Sequence, residues 1–267
     1  MSYATNPIDG IRTYFEDAGG DGPPLLVYTG FGDSIPYAKT LPVVGGLRDE
    51  FRMIYADHRG QGRSEKPHDV EAYSLLTRVA DVVATLDALE IERAHFFGSS
   101  WGARLGFAVG EHAPERVRSL ALYGNQPYEW PRGPLMHGVA EAVAAGKERG
   151  IEALVETWES AIGDGFRFPE PGRTYLFGND PLALEAEYRS IFLEGEVSTN
   201  LFRWHVPCFI YVGSEDEMAP GAARAAQEIP GATFLALDAE THFSAELVAR
   251  EVVPRILEFF RSNEPKE

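Results

Sequence analysis

Residues 96–106 read Phe96-Phe97-Gly98-Ser99-Ser100-Trp101-Gly102-Ala103-Arg104-Leu105-Gly106: an apolar run ends and a segment of helical character begins. Within it, Gly98-Ser99-Ser100-Trp101-Gly102 fits the pattern G-x-S-x-G, with Ser100 central and Ser99 at the variable position. The pattern describes a sharp strand-to-helix turn. Small residues on either side let the backbone pass close to its neighbours while the central side chain projects above the sheet. A serine that merely caps a helix would look the same, so the rest of the chain decides.

Outward from this stretch, short runs rich in Val, Ile, Leu, Phe and Tyr recur at Leu25–Tyr28, Arg52–Ala56, His95–Phe97, Ser119–Tyr123, Cys208–Val212 and Thr233–Leu237. Helix-like segments separate them, and this βα alternation predicts a mostly parallel sheet flanked by helices. Before them, Asn6-Pro7-Ile8-Asp9-Gly10 reads as a turn joining two antiparallel strands, the second through Ile11–Phe15. Leu75, Leu76, Val79, Val82, Val83, Leu86 and Leu89 form the apolar stripe of a helix packed on the sheet. Leu247, Val248, Val252, Ile256, Leu257 and Phe260 repeat it at the C-terminus, where Pro254 is expected to bend or interrupt the helix.

From Asn125 to about Val206 there is no strand-like run, only helix-like pieces at Gly138–Arg149, Ile151–Ile162 and Pro181–Phe192. This predicts a helical cap, 125–206, inserted into a core made of 1–124 and 207–267. Its large side chains Trp130, Met136, Trp158, Phe166, Phe168, Tyr175, Phe177, Phe192 and Trp204 call for burial.

Composition narrows the partners. The 267 residues are 44% hydrophobic, enough for a large core, and no apolar run approaches the roughly 20 residues that span a bilayer. The first residues, Met1 to Pro7, lack the basic and apolar regions of an export signal, so a cytoplasmic, membrane-free protein is expected. The single cysteine, Cys208, excludes an internal disulfide and reads as a buried thiol. A net charge of −17 without a basic cluster argues against nucleic acid and disfavours anionic substrates. Oligomeric state leaves no mark on the sequence.

A serine hydroxyl needs a base to take its proton and a third group to orient that base. His242 follows the last strand-like run, read as the start of the final helix, and Asp216 follows the preceding run in Gly213-Ser214-Glu215-Asp216. Ser100, Asp216 and His242 thus all fall at C-terminal strand ends, where open α/β sheets place ligands. Glu215, Glu217 and Glu240 are rivals for the acid. The remaining histidines, His58, His68, His95, His112, His137 and His205, read as satisfied or solvated.

With these residues placed, the chain resembles the α/β-hydrolase superfamily over nearly its whole length. Thr29-Gly30-Phe31-Gly32 is similar to the family's H-G-x-G turn, and Asp57-His58-Arg59-Gly60-Gln61-Gly62-Arg63-Ser64 to its D-x-R-G-x-G-x-S turn. The resemblance implies an eight-stranded sheet and an oxyanion hole built from the backbone N–H groups of Phe31 and Trp101. It also implies a structural role for Arg59 and a site with no cofactor and no metal. Two positions depart from the family: Thr29 stands for the usual His, and Ser99 for a His often found before the nucleophile.

Dehalogenases and epoxide hydrolases of this family carry Asp at the central position, and Ser100 sets this chain apart from them. The expected enzyme is a serine hydrolase of small-molecule carboxylic esters or lactones, closest in layout to bacterial carboxylesterases and enol-lactonases. Four alternatives share the scaffold: proline iminopeptidases, C–C bond hydrolases, perhydrolases and non-catalytic ligand receptors. An iminopeptidase needs cap carboxylates for a free amino terminus; Glu152, Glu156 and Glu159 are candidates, read here as exposed helix glutamates.

Overall fold

The computed structural model describes residues 2–244 and 248–264. Eight strands form one sheet: β1 (Ser2–Thr5), β2 (Arg12–Asp17), β3 (Pro24–Tyr28), β4 (Arg52–Ala56), β5 (Ala94–Ser99), β6 (Val117–Tyr123), β7 (Cys208–Gly213) and β8 (Thr233–Leu237). Their spatial order is β1-β2-β4-β3-β5-β6-β7-β8, with β3 to β8 parallel and β2 antiparallel to both of its neighbours. The order reverses between β3 and β5, so the loops leaving these adjacent strands diverge and open a crevice.

The central strands read as unbroken apolar runs because both faces are covered. Phe96 points with Leu26, Leu120 and Ile210 into one core, and Phe97 points with Leu25, Ala121 and Phe209 into the other. The second core is closed by α1 (Ile35–Ala38), α2 (Pro42–Leu47) and the C-terminal helix. The first is closed by α3 (Leu75–Ala88), α4 (Trp101–His112) and a helix after β7. Between β6 and β7 the chain forms α5 (Pro134–Arg149), α6 (Ile151–Ile162), α7 (Gly172–Leu176) and α8 (Pro181–Glu194). After β7 and β8 come α9 (Ala219–Glu228) and α10 (Ala249–Ser262).

Two apolar residues depart from their expected burial. Leu76 is 57% exposed, because α3 packs through Leu75, Val79, Val82 and Leu86 and the second residue of the helix falls off that face. Phe192, near the end of α8, is 54% exposed with its ring against Tyr188, instead of buried. Helix α10 runs through Pro254 without interruption. One backbone hydrogen bond is forfeited there, while Val252, Ile256 and Phe260 stay fully buried, and that burial outweighs the loss. Leu247 lies outside the described residues. Cys208 is free and buried, and burial pushes its thiol well above the ordinary range, so it stays neutral and unreactive. Among the described residues no helix is long and apolar enough to cross a membrane.

Candidate active site

Ser100 sits between β5 and α4 with φ 51° and ψ −109°, a left-handed conformation for a non-glycine residue. Such a conformation costs on the order of 1–3 kcal/mol and persists only where neighbours enforce it. Here the Ser100 N–H donates to the Tyr123 carbonyl at 2.8 Å, and Asn125 Nδ2 donates to the Ser100 carbonyl at 2.9 Å. The flanking glycines are obligatory. A Cβ on Gly98 would lie 2.4 Å from the Gly102 carbonyl oxygen, and one on Gly102 would lie 2.2 Å from that of Tyr28.

The turn aims Ser100 Oγ at His242 Nε2, 2.9 Å away, while His242 Nδ1 lies 2.7 Å from Asp216 Oδ2. Asp216 is buried, and its other oxygen accepts from the Met218 N–H at 2.9 Å. An ionised Asp216 can only accept, so Nδ1 carries the imidazole proton and Nε2 offers its lone pair to the serine hydroxyl. His242 occupies a turn ahead of α10, which begins only at Ala249; it is not part of that helix. Tyr123 holds the loop by donating its hydroxyl to the His242 carbonyl. The rival acids lie elsewhere. Glu217 accepts from the N–H groups of Leu135 and Met136 in the first turn of α5, Glu215 is exposed, and the Glu240 carbonyl bonds the Glu215 N–H. Ser99 is buried as the last residue of β5.

The loop after β3 brings Phe31 beside the turn, with its ring 4.9 Å from that of Trp101. Gly30 N–H donates to Asp33 Oδ2 at 2.6 Å, which folds the loop back on itself. The Thr29 carbonyl accepts from Gly102 N–H and from His58 Nε2, both at 3.0 Å. Burial pushes His58 down to about 3, so it is a neutral Nε2–H donor at ordinary pH. The departure at Thr29 thus leaves the loop anchored through a backbone carbonyl. Trp101 opens α4, and the N–H of a first-turn residue has no acceptor within its own helix.

Ser100 and His242 face a cavity of about 130 Å³ walled by Trp101, Trp130, Met136, Trp158, Phe168, Leu176 and Phe243, among others. Most of these come from the segment between β6 and β7, so those helices cover the serine. Among the described residues lining the cavity there is no lysine or arginine, and Asp33 is the sole carboxylate.

The Trp101 indole donates to Glu187 Oε1 at 2.6 Å, and Gln61 Nε2 donates to Glu187 Oε2 at 2.7 Å. Sequence reading passed over Glu187. Its signal was a glutamate on the buried face of α8, among Leu184, Tyr188 and Ile191. Glu152 and Glu156 are exposed, but Glu159 is buried and engaged by arginines, a correction to its reading as a solvated residue. Arg59 is buried too, locked by Asp81 and Asp9 at 2.6–2.7 Å in its turn. His58, His68, His95 and His137 all have partners, and His112 and His205 are exposed. Among the described residues no group of three or more His, Cys, Asp or Glu could hold a metal ion.

An eight-stranded mostly parallel sheet with a strained serine after its fifth strand defines an α/β-hydrolase architecture. Residues 23–139 match the family model for the alpha/beta hydrolase fold, and the eight-stranded sheet of the chain has that architecture. It is 38% identical over 123 residues to a 2-hydroxymuconate semialdehyde hydrolase of Pseudomonas sp. (strain CF600), a match covering 46% of this chain and 43% of that protein. The chain thus spans less than half the length of that relative. Among solved structures, the enol-lactonase from Burkholderia xenovorans LB400 superposes with a TM-score of 0.79 at 20% identity, covering 97% of this chain and 100% of that one. A thermophilic esterase from Thermogutta terrifontis superposes with a TM-score of 0.81 at 21% identity, covering 99% of both chains.

Proposed function

We propose that the protein is a serine hydrolase of carboxylic esters or lactones that works through an acyl-enzyme. The observation that carries this reading is the chain of contacts Ser100 Oγ to His242 Nε2 to Asp216 Oδ2, 2.9 and 2.7 Å, opening onto an apolar cavity. Ser100 attacks the carbonyl as His242 takes its proton, and the imidazolium formed is held by Asp216. His242 then returns the proton to the leaving alkoxide, and water, activated by the same imidazole, releases the acid. The N–H groups of Phe31 and Trp101 stabilise the oxyanion; removing one such donor typically costs about 10²–10³ in rate. Segment 125–206 serves as the cap that shapes the acyl site and keeps water from it.

C–C bond cleavage is the second reading, favoured by the similarity to the semialdehyde hydrolase. A muconate-derived substrate carries a carboxylate, and the cavity offers it no cation among the described residues. An uncharged aromatic or aliphatic acyl group suits the walls better. The iminopeptidase reading weakens because Glu159 is spent on arginines, and the receptor reading because nothing in ligand holding alone requires the aligned serine, histidine and aspartate.

A fluorophosphonate should label Ser100, and Ser100→Ala should abolish nitrophenyl ester turnover while Ser99→Ala retains most of it. A folded protein that neither labels nor turns over any aryl ester or lactone would sink the proposal. Comparing kcat/KM across aryl esters, lactones and vinylogous 1,5-diketones separates the two readings.

A further inference from the structure

We infer that Glu159 is a positioning residue that sets which acyl groups the cavity accepts; this rests on the serine hydrolase reading above. Glu159 follows Trp158 on α6, and its carboxylate is fully buried without lining the cavity. A buried charge persists only with dedicated partners. Here the carboxylate accepts from Phe168 N–H at 3.1 Å and from Arg173 Nε and Nη2 at 2.7 and 3.3 Å, with Arg167 Nε at 3.5 Å.

All three donors belong to residues 167–173, between α6 and the first turn of α7. Residues 163–171 form neither helix nor strand, yet they present Phe166 and Phe168 to the cavity. The Phe166 and Phe168 rings lie 5.7 and 6.1 Å from Phe243, and Phe168 lies 5.1 Å from Trp158. Phe243 follows the base in sequence, and its ring stands edge-on to that of His242 at 5.4 Å. A single carboxylate therefore fixes the wall that faces His242. Without it, the irregular stretch gains backbone freedom that only its aromatic contacts and a few local turn hydrogen bonds oppose. An acyl group large enough to touch Phe168 feels that loss; an acetyl group does not.

The test compares Glu159→Gln, Arg173→Met and the conservative Arg173→Lys on nitrophenyl benzoate and nitrophenyl acetate, with active sites counted by fluorophosphonate titration. KM for the benzoate should rise about tenfold in Glu159→Gln and Arg173→Met with kcat within about threefold. Acetate kinetics should stay within about threefold throughout, and Arg173→Lys should recover the benzoate KM. Equal losses on both esters, or no change, would overturn the inference. Binding of the neutral ketone benzylacetone, followed by tryptophan fluorescence, reads the same wall without chemistry. Its Kd should rise about tenfold in Glu159→Gln and be restored in Arg173→Lys. An unchanged Kd refutes the inference even if the protein turns over no ester, whereas inactive wild type with the expected Kd shift refutes only the hydrolase reading.

Discussion

Asp57 and His58, adjacent at the end of β4, should oppose each other in the pH dependence of stability. Asp57 accepts from the N–H groups of Ile35 and Arg63 at 2.7 and 2.8 Å, yet burial still pushes its carboxyl from 3.8 up to about 6. Between these values the folded chain holds a proton that the unfolded chain releases. Stability from this group therefore falls as pH rises from 3.8 to about 6, by about 3 kcal/mol at 1.36 kcal/mol for each tenfold in proton affinity. Burial moves His58 the other way, from 6.5 down to about 3. There the unfolded chain binds a proton that the folded chain refuses, so stability falls as pH drops through that range, by about 5 kcal/mol in all.

Between about pH 4 and pH 6 the two slopes have opposite sign and similar size, so in the wild type the pair nearly cancels. Asp57→Asn should expose the histidine: stability, relative to wild type, should fall by about 2–3 kcal/mol on acidification from pH 6 to pH 4. His58→Gln should expose the aspartate, and its stability should rise by a similar amount over the same interval. Urea unfolding at three pH values, with the midpoint and m recorded at each, measures this. The slopes are compared, not the absolute stabilities, because Asp57→Asn also removes a hydrogen-bond acceptor. Titrations common to all three proteins drop out of the comparison. Parallel pH profiles for the three proteins would refute the reasoning.

Gly102→Ala should cost about 2–4 kcal/mol in urea unfolding, and ester turnover should collapse, because its Cβ meets backbone, which cannot swing aside. Asp216→Asn should lower kcat by about 10⁴ by releasing the imidazole tautomer, whereas Glu217→Gln should leave kcat nearly intact; equal losses in steady-state assays would reassign the acid. Asn125→Ala, which removes the donor to the Ser100 carbonyl, should cost about 1–2 kcal/mol of stability and lower kcat/KM for all esters alike. A change confined to large esters would place Asn125 in substrate contact instead.

What could be read in advance follows the distance over which each residue's reason acts. Phe96 to Gly102 carries a local rule: a strand must turn sharply into a helix, and the clashes that forbid side chains at Gly98 and Gly102 are set by the turn and by the strand next to it. Asp216 and His242 were legible one step further out, since parallel strands deliver every following loop to the same edge of the sheet. Periodicity marked α3 but assigned Leu76 to the wrong side, because a stripe of apolar residues says nothing about where its edge lies.

Glu159 and Glu187 obey a different logic. Each interrupts an apolar helix face with a charge, and alone each reads as an error or as solvated surface. Its partners lie outside its own helix: Arg173, 14 residues on, for the first, and Trp101 and Gln61, 86 and 126 residues away, for the second. Such pairings cost more to desolvate than a neutral residue of the same size would, so stability alone gives little reason for them. Both carboxylates grip what lines the cavity, the indole of Trp101 and the backbone of Phe168, and neither touches it. A glutamate buried on the inward face of a covering helix is thus a signal that can be read beforehand, and it points to the walls of the site more directly than the aromatic residues that form them.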